Sequence, residues 1–358
     1  MTHLFDPLIL KGITLRNRIG VSPMCQYSYQ DGFSDDWQVV HLGARAAGGA
    51  GLVITEATAV EQRGMITPFD VGIWSDAHAE ALARVVRAVK MGGAVPGIQI
   101  AHAGRKACTQ RPWEGKHPYQ SGDDLFWQVV GASPLAFGNG YQVPRELEIS
   151  EVLEIEDKFA MAAERSLSAG FEWLEIHAAH GYLIHSFLSP LSNHRGDAYG
   201  GSFENRVRLL VEIVQKVKRV WPERLPLTVR ISGTEWVDGG WGVEDSIKLA
   251  ALLKAEGVDL VDCSSSGNVS TAVPPVAPGY QVFIAEAVRR NSRIMTAAVG
   301  LISDPQHAEE IIVSGKADLV LLGRELLRNP TWPIQAAMQL GYPPPIPPQY
   351  LRAYPKSK

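Results

Sequence analysis

One pattern recurs along the chain: an amphipathic segment, then a glycine, then a short and nearly continuous apolar run. It stands at Gly51 before Leu52-Val53-Ile54, at Gly93 before Val95 to Ile100, and at Gly170 before Phe171 to Ile176. It returns at Gly257 before Val258 to Cys263 and at Gly315 before Leu319 to Leu322. A glycine past a helix end can take positive φ and close the helix. Runs that are apolar at nearly every position suit parallel strands covered on both faces. Arg18 to Ser22, Leu227 to Ile231 and Ile294 to Ala297 bring the strands to eight. They alternate with helices predicted near residues 42–48, 76–91, 151–169, 204–220, 244–256, 281–290, 304–314 and 330–340. Eight βα units predict one (β/α)8 TIM barrel, an α/β fold, over residues 1–342. An open doubly wound sheet would offer a Gly-x-Gly-x-x-Gly turn after its first strand, which is absent.

Three segments lie outside the repeat. Leu8 to Leu15 reads as a short N-terminal hairpin turning at Lys11-Gly12, placed to plug the barrel floor. Residues 101–150 follow the third strand with Gly, Pro and Trp and little periodicity. So long an insertion in a compact domain is usually functional, and a capping loop over the site is expected. Residues 343–358 are Pro-rich at their start and predict an extended C-terminal arm.

Composition narrows the function more than the fold. Of 358 residues, 46% are hydrophobic and 20% charged, which suits a large core. The net charge is -4 with no block of like charge, so neither nucleic acid nor an anionic membrane surface is an expected partner. No apolar run reaches the length of a spanning helix, and the N-terminus lacks a signal pattern, so a cytoplasmic location is expected. Three cysteines without a Cys-x-x-Cys pair argue against a disulfide framework, a structural zinc and an iron–sulfur cluster.

Candidate chemistry gathers at strand ends. Trp173 to Ile176 runs into His177-Ala178-Ala179-His180-Gly181-Tyr182. At the C-terminal end of a barrel strand, two imidazoles and a phenol read as an active site. A metal pair would need a third ligand, and none stands at the usual spacing. Satisfied core histidines are the bland reading. The better one is a pair of donors to a substrate oxygen that gains charge, with Tyr182 close enough to give a proton. The first strand ends Ser22-Pro23-Met24-Cys25-Gln26-Tyr27, where Cys25 and Tyr27 read equally as core residues or as part of the site. Gln99, near the third strand's end, has an amide able to read a ring edge. Lys106 stands in the loop that follows. Arg230, ending the fifth strand, needs an anionic partner: an ion pair with Glu56 or Glu175, a ligand, or both. Gly300 and Gly323-Arg324 follow the seventh and eighth strands, where such barrels frequently bind phosphate.

Together these residues resemble the old yellow enzyme family of FMN-dependent ene-reductases, in particular its thermophilic-like, xenobiotic-reductase branch. The resemblance runs through Leu15-Arg16-Asn17-Arg18, Ser22 to Cys25, Trp37, His41-Leu42, Glu56-Ala57, Gly97 to Lys106, His177 to Tyr182, Arg195 to Ser202, Asn205-Arg206 and Gly323-Arg324. It implies one FMN, with NADPH or NADH as reductant. Ser22, Pro23, Met24, Cys25 and Ala57 would line the isoalloxazine. Gln99 would bind its pyrimidine edge, Arg230 would stand near N1, and Gly300, Gly323 and Arg324 would hold the phosphate. His177 and His180, helped by Tyr27 and Lys106, would bind the carbonyl of an activated alkene, and Tyr182 would protonate it. Cys25 marks the branch. Val299 stands where some members carry Trp. Arg352 would reach a neighbouring subunit's site, implying a homodimer or a tetramer. A non-flavin phosphate-binding isomerase or aldolase, and a catalytically silent barrel, are the rival readings.

Overall fold

The computed structural model describes residues 1–354. The chain opens with the antiparallel hairpin β1 (Leu8–Leu10) and β2 (Ile13–Leu15), in register Leu10↔Ile13. Then come β3 (Ile19–Val21), α1 (Asp36–Ala47), β4 (Leu52–Ala59), α2 (Asp76–Met91) and β5 (Val95–Ala101). The insertion carries two short paired strands, β6 (Val130–Gly131) and β7 (Arg145–Glu146). After it run α3 (Ile149–Ala169), β8 (Trp173–Ala178), α4 (Leu183–Leu188), α5 (Phe203–Val220), β9 (Leu227–Ser232) and α6 (Val243–Ala255). The chain continues with β10 (Leu260–Ser264), α7 (Val282–Ser292), β11 (Met295–Ala298), α8 (Pro305–Val313), β12 (Leu319–Leu322), α9 (Arg324–Arg328) and α10 (Trp332–Leu340).

Eight strands close into one parallel barrel in the order β3-β4-β5-β8-β9-β10-β11-β12, with β12 pairing back onto β3 through Leu321↔Gly20. Nearly every strand residue is buried, which is why the runs lack polar alternation. The hairpin lies at the floor, where Gly12 N donates to Arg224 O at 2.9 Å and Lys11 Nζ lies 3.0 Å from Asp259 Oδ2. Arg224 and Asp259 precede β9 and β10, so this contact is at the N-terminal end of the barrel strands.

Several boundaries differ from the sequence expectation, each for a local reason. Helix α1 starts at Asp36, well before residue 42, because Asp35 caps it by accepting from Trp37 N. Gly93, Gly170, Gly257 and Gly315 take positive φ as expected; after α1 that role falls to Gly49, not Gly51. The short α4 and α9 are additions, each a turn or so begun where a barrel strand has just ended. The arm is irregular through Pro347 and then forms a 3₁₀ turn, Pro348–Ala353, rather than staying extended. Proline is tolerated in a first turn, where its missing N–H is not needed. Residues 355–358 of the predicted arm lie outside the described residues. No helix among the described residues is long and apolar enough to cross a membrane.

Candidate active site

The end of β8 brings His177, His180 and Tyr182 together. His177 Nδ1 accepts the Ala179 N–H at 3.1 Å, so the proton of the neutral ring is on Nε2. That nitrogen lies 3.4 Å from Nδ1 of His180, whose Nε2 lies 2.8 Å from Ser264 Oγ. Ser264 can donate to Nε2, which leaves the His180 proton on Nδ1. In that tautomer two N–H groups face one another, an arrangement that an acceptor oxygen between them relieves; in the other, His177 Nε2 donates to His180 Nδ1. Burial, and then the Arg230 charge, push both imidazoles well below their ordinary value, so they act as neutral donors. The Tyr182 ring meets that of His177 edge to face, centroids 5.0 Å apart. Burial pushes its phenol well up, keeping it protonated.

The β3 end supplies the facing wall. Cys25 and Tyr27 are half-buried and share a small apolar cluster with Tyr182, Ile66 and Cys108. Tyr119, Phe126 and Trp127 of the insertion cover it, which gives residues 101–150 a capping position. Burial pushes the Cys25 thiol up, with Asp70 and Glu56 adding to it. Its neighbour Cys25 and burial push the Tyr27 phenol up as well. Arg195 ties the loop after β8 to the insertion, donating to Ala132 O and Leu147 O while pairing with Asp197.

Deeper in the barrel, Gln99 Nε2 donates to Glu175 Oε1 at 2.9 Å. Arg230 lies beside it with Nε 2.9 Å from Asp262 Oδ2. The ion-pair partner is therefore Asp262, on the adjacent strand β10, rather than the expected Glu56 or Glu175. Glu56 is engaged elsewhere, accepting from Tyr29 Oη at 2.6 Å and Gln26 N at 2.7 Å. Glu175 is close enough for its carboxyl to feel the Arg230 charge.

A cavity of about 380 Å³ leads away from His180 along the ends of β10, β11 and β12. Val299, Gly300, Gly323 and Arg324 line it. Gly300 has φ +131°, closed to most side chains. A Cβ on Gly323 would make ordinary contact with Met24 Sδ at 3.5 Å, so the β12 end lies beside the Ser22–Met24 segment.

The sequence profile of the NADH:flavin oxidoreductase / NADH oxidase family matches residues 3–342. The chain belongs to that family. An NADPH dehydrogenase of Listeria monocytogenes serovar 1/2a is 46% identical over 356 residues, covering 99% of this chain and 100% of that one. Morphinone reductase in complex with tetrahydroNAD superposes with a TM-score of 0.78 at 26% identity, over 96% of this chain and 92% of that one. A 2-naphthoyl-CoA reductase complex superposes with a TM-score of 0.83 at 25% identity; the present chain covers only 52% of its length. The molecule is thus an FMN- and NAD(P)H-dependent oxidoreductase of the old yellow enzyme family, and the non-flavin and silent-barrel readings fall away.

The residues of this flavoenzyme fit FMN. The buried Arg230 guanidinium, close to the Gln99–Glu175 pair, suits a ring that gains negative charge. At the other end of the site, the glycine-lined cavity with its Arg324 suits a phosphate. Lys106 is placed differently from expectation. Its Nζ donates to His180 O at 2.8 Å and Gly267 O at 2.7 Å, so it binds the backbone on which the histidine stands. Burial pushes its pKa down to about 7. Sequence reasoning missed a supporting network. Gly181 N donates to His185 Nδ1 at 2.8 Å, and His185 Nε2 lies 3.1 Å from Glu235 Oε1. Asn268 Nδ2 donates to the same carboxylate at 2.6 Å, and Arg105 Nη2 donates to Asn268 O and Oδ1. These residues come from four separate segments, after β5, β8, β9 and β10, so no spacing in the sequence could link them. Arg352 is exposed in the C-terminal 3₁₀ turn.

Proposed function

We propose that this enzyme is an ene-reductase of the xenobiotic-reductase branch, acting on alkenes conjugated to a carbonyl or nitro group, such as enones, enals and maleimides. The observation that carries this reading is the pair of facing imidazole nitrogens 3.4 Å apart with the Tyr182 phenol beside them. The substrate oxygen bridges His177 Nε2–H and His180 Nδ1–H. Both donors strengthen as negative charge builds on that oxygen, which lowers the barrier to attack at Cβ. Bound FMN, once reduced by NAD(P)H, would supply the hydride for Cβ. Tyr182 gives its phenolic proton to Cα, and solvent restores it. Ser22 to Cys25 and Ala57 line the ring system, Gln99 binds its edge, and Arg230 offsets the charge it gains. Gly300, Gly323 and Arg324 hold the phosphate. Tyr27 flanks the substrate, and Lys106 acts by fixing the His180 backbone.

We also propose a homodimer in which Arg352 enters the partner's site. The arm begins on the floor side, where Pro345 packs against Gly49 between α1 and β4. A cation carried from there serves a second copy more readily than its own mouth.

The test is anaerobic. NADPH should bleach the flavin absorbance, and 2-cyclohexenone should restore it. A reduced enzyme that oxygen reoxidises but enones, maleimides and nitroalkenes do not would overturn the reading.

A further inference from the structure

Behind Gln99 and Arg230 stand two carboxyls, Glu175 and Asp262, that the reaction above leaves unused. Glu175 on β8, Arg230 on β9 and Asp262 on β10 are 1%, 6% and 0% exposed. The Glu175 carboxyl faces Arg230, Asp262, the Gln99 amide on β5 and the Thr228 hydroxyl on β9. One guanidinium balances one carboxylate. A second buried negative charge without its own cation is strongly unfavourable, so the cluster must hold a proton.

Distance from the guanidinium says where that proton goes. Thr228 Oγ1 accepts from Trp173 Nε1 and gives its single proton to Leu174 O, both at 3.1 Å. Glu175 Oε2, 3.5 Å away, is a second and more distant acceptor for that same proton. The other carboxyl oxygen, Oε1, takes the Gln99 amide proton. Glu175 Oε2 thus lacks a close donor of its own. Asp262 Oδ2, 2.9 Å from the Arg230 Nε, keeps the charge, and Glu175, farther from that cation, holds the proton. Burial raises both carboxyls above their ordinary range, with Asp262 raising Glu175 further.

We propose that Glu175 is a positioning residue for the FMN site, a neutral acid that fixes the Gln99 amide and couples cofactor reduction to proton uptake at alkaline pH. This rests on the placement of FMN against Gln99 and Arg230 proposed above. Reduction by NAD(P)H transfers a hydride, two electrons and one proton, and NAD(P)⁺ leaves. The site then carries one more negative charge beside Arg230. Where Glu175 has ionised in the oxidised enzyme, that charge draws one solvent proton back onto it. Extra proton uptake on reduction makes the midpoint potential fall more steeply with pH.

The experiment is a spectroelectrochemical titration of the holoenzyme over roughly pH 6.5 to 9.5. The wild-type potential should fall more steeply toward the alkaline end. Glu175→Gln keeps the acceptor for Gln99 and should match the wild type at the acid end while losing the added slope. Asp262→Asn removes the paired charge and should move the potential positive throughout; if it fails to fold, Glu175→Gln decides alone. Coincident profiles for wild type and Glu175→Gln, or a constant wild-type slope, overturn the proposal. FMN affinity of Gln99→Ala is measured alongside. Weakened binding supports the placement beneath the proposal, and unchanged binding overturns that placement itself.

Discussion

At the scale of single residues, the proposed chemistry needs titratable groups in fixed protonation states, and burial sets them. Tyr182 stays a phenol because burial raises it, and His177 and His180 stay neutral because burial lowers them. The imidazoles therefore do not titrate across roughly pH 6 to 8, and oxygen binding should show no histidine step there. A phenolate mimics the charged oxygen of the substrate. Adding 4-hydroxybenzaldehyde should raise a long-wavelength charge-transfer band with FMN, and replacing both histidines by Ala should abolish it. An unchanged band in the double variant would move the oxygen site elsewhere. These residues were legible because they sit within a few positions of a strand end. Asp262 was not, since its pairing with Arg230 depends on β9 and β10 being neighbours in register, Asp262↔Arg230. No local pattern marks that.

At the scale of elements, the turn from β8 into α4 is held from outside. Gly181 has φ +74°, and a Cβ there would fall 2.2 Å from Gly267 O. The loop after β10 thus touches the catalytic turn backbone to backbone, with Lys106 bonded to both sides. Gly181→Ala adds strain on top of this clash and should lower stability by about 1–3 kcal/mol. It should also weaken the phenol band more than FMN binding. Thermal melts and ligand titrations check this, and a variant with wild-type stability and wild-type band would contradict the contact. The eight barrel strands could be read from the sequence because strands buried on both faces leave continuous apolar runs. Helices α4 and α9 could not, because five or six residues are too few to show a helical period. The front of α1 was missed because Trp37 and Val40 face outward, 52% and 65% exposed, and blur its polar face.

At the scale of the whole molecule, the barrel divides its labour between two ends. The hairpin and the paired charges Lys11 and Asp259 seal the floor, while the insertion and the loops after β8, β9 and β10 build the mouth. In the proposed dimer the role of the arm depends on a second copy. Truncation after Pro348 should weaken binding of substrate and nicotinamide while leaving FMN bound, as read from KM values and flavin content. A truncated enzyme with normal KM values, or a monomer at assay concentration with normal turnover, would remove Arg352 from the site.

The most direct test of the account separates the two halves of the catalytic cycle in Tyr182→Phe by anaerobic stopped-flow. Reduction of the flavin by NADPH needs no proton from Tyr182 and should proceed at nearly the wild-type rate. Reoxidation by 2-cyclohexenone needs that proton at Cα and should slow by about a hundredfold. Equal loss in both halves, or no loss in the second, would contradict the assignment of Tyr182 as the proton donor in an ene-reduction.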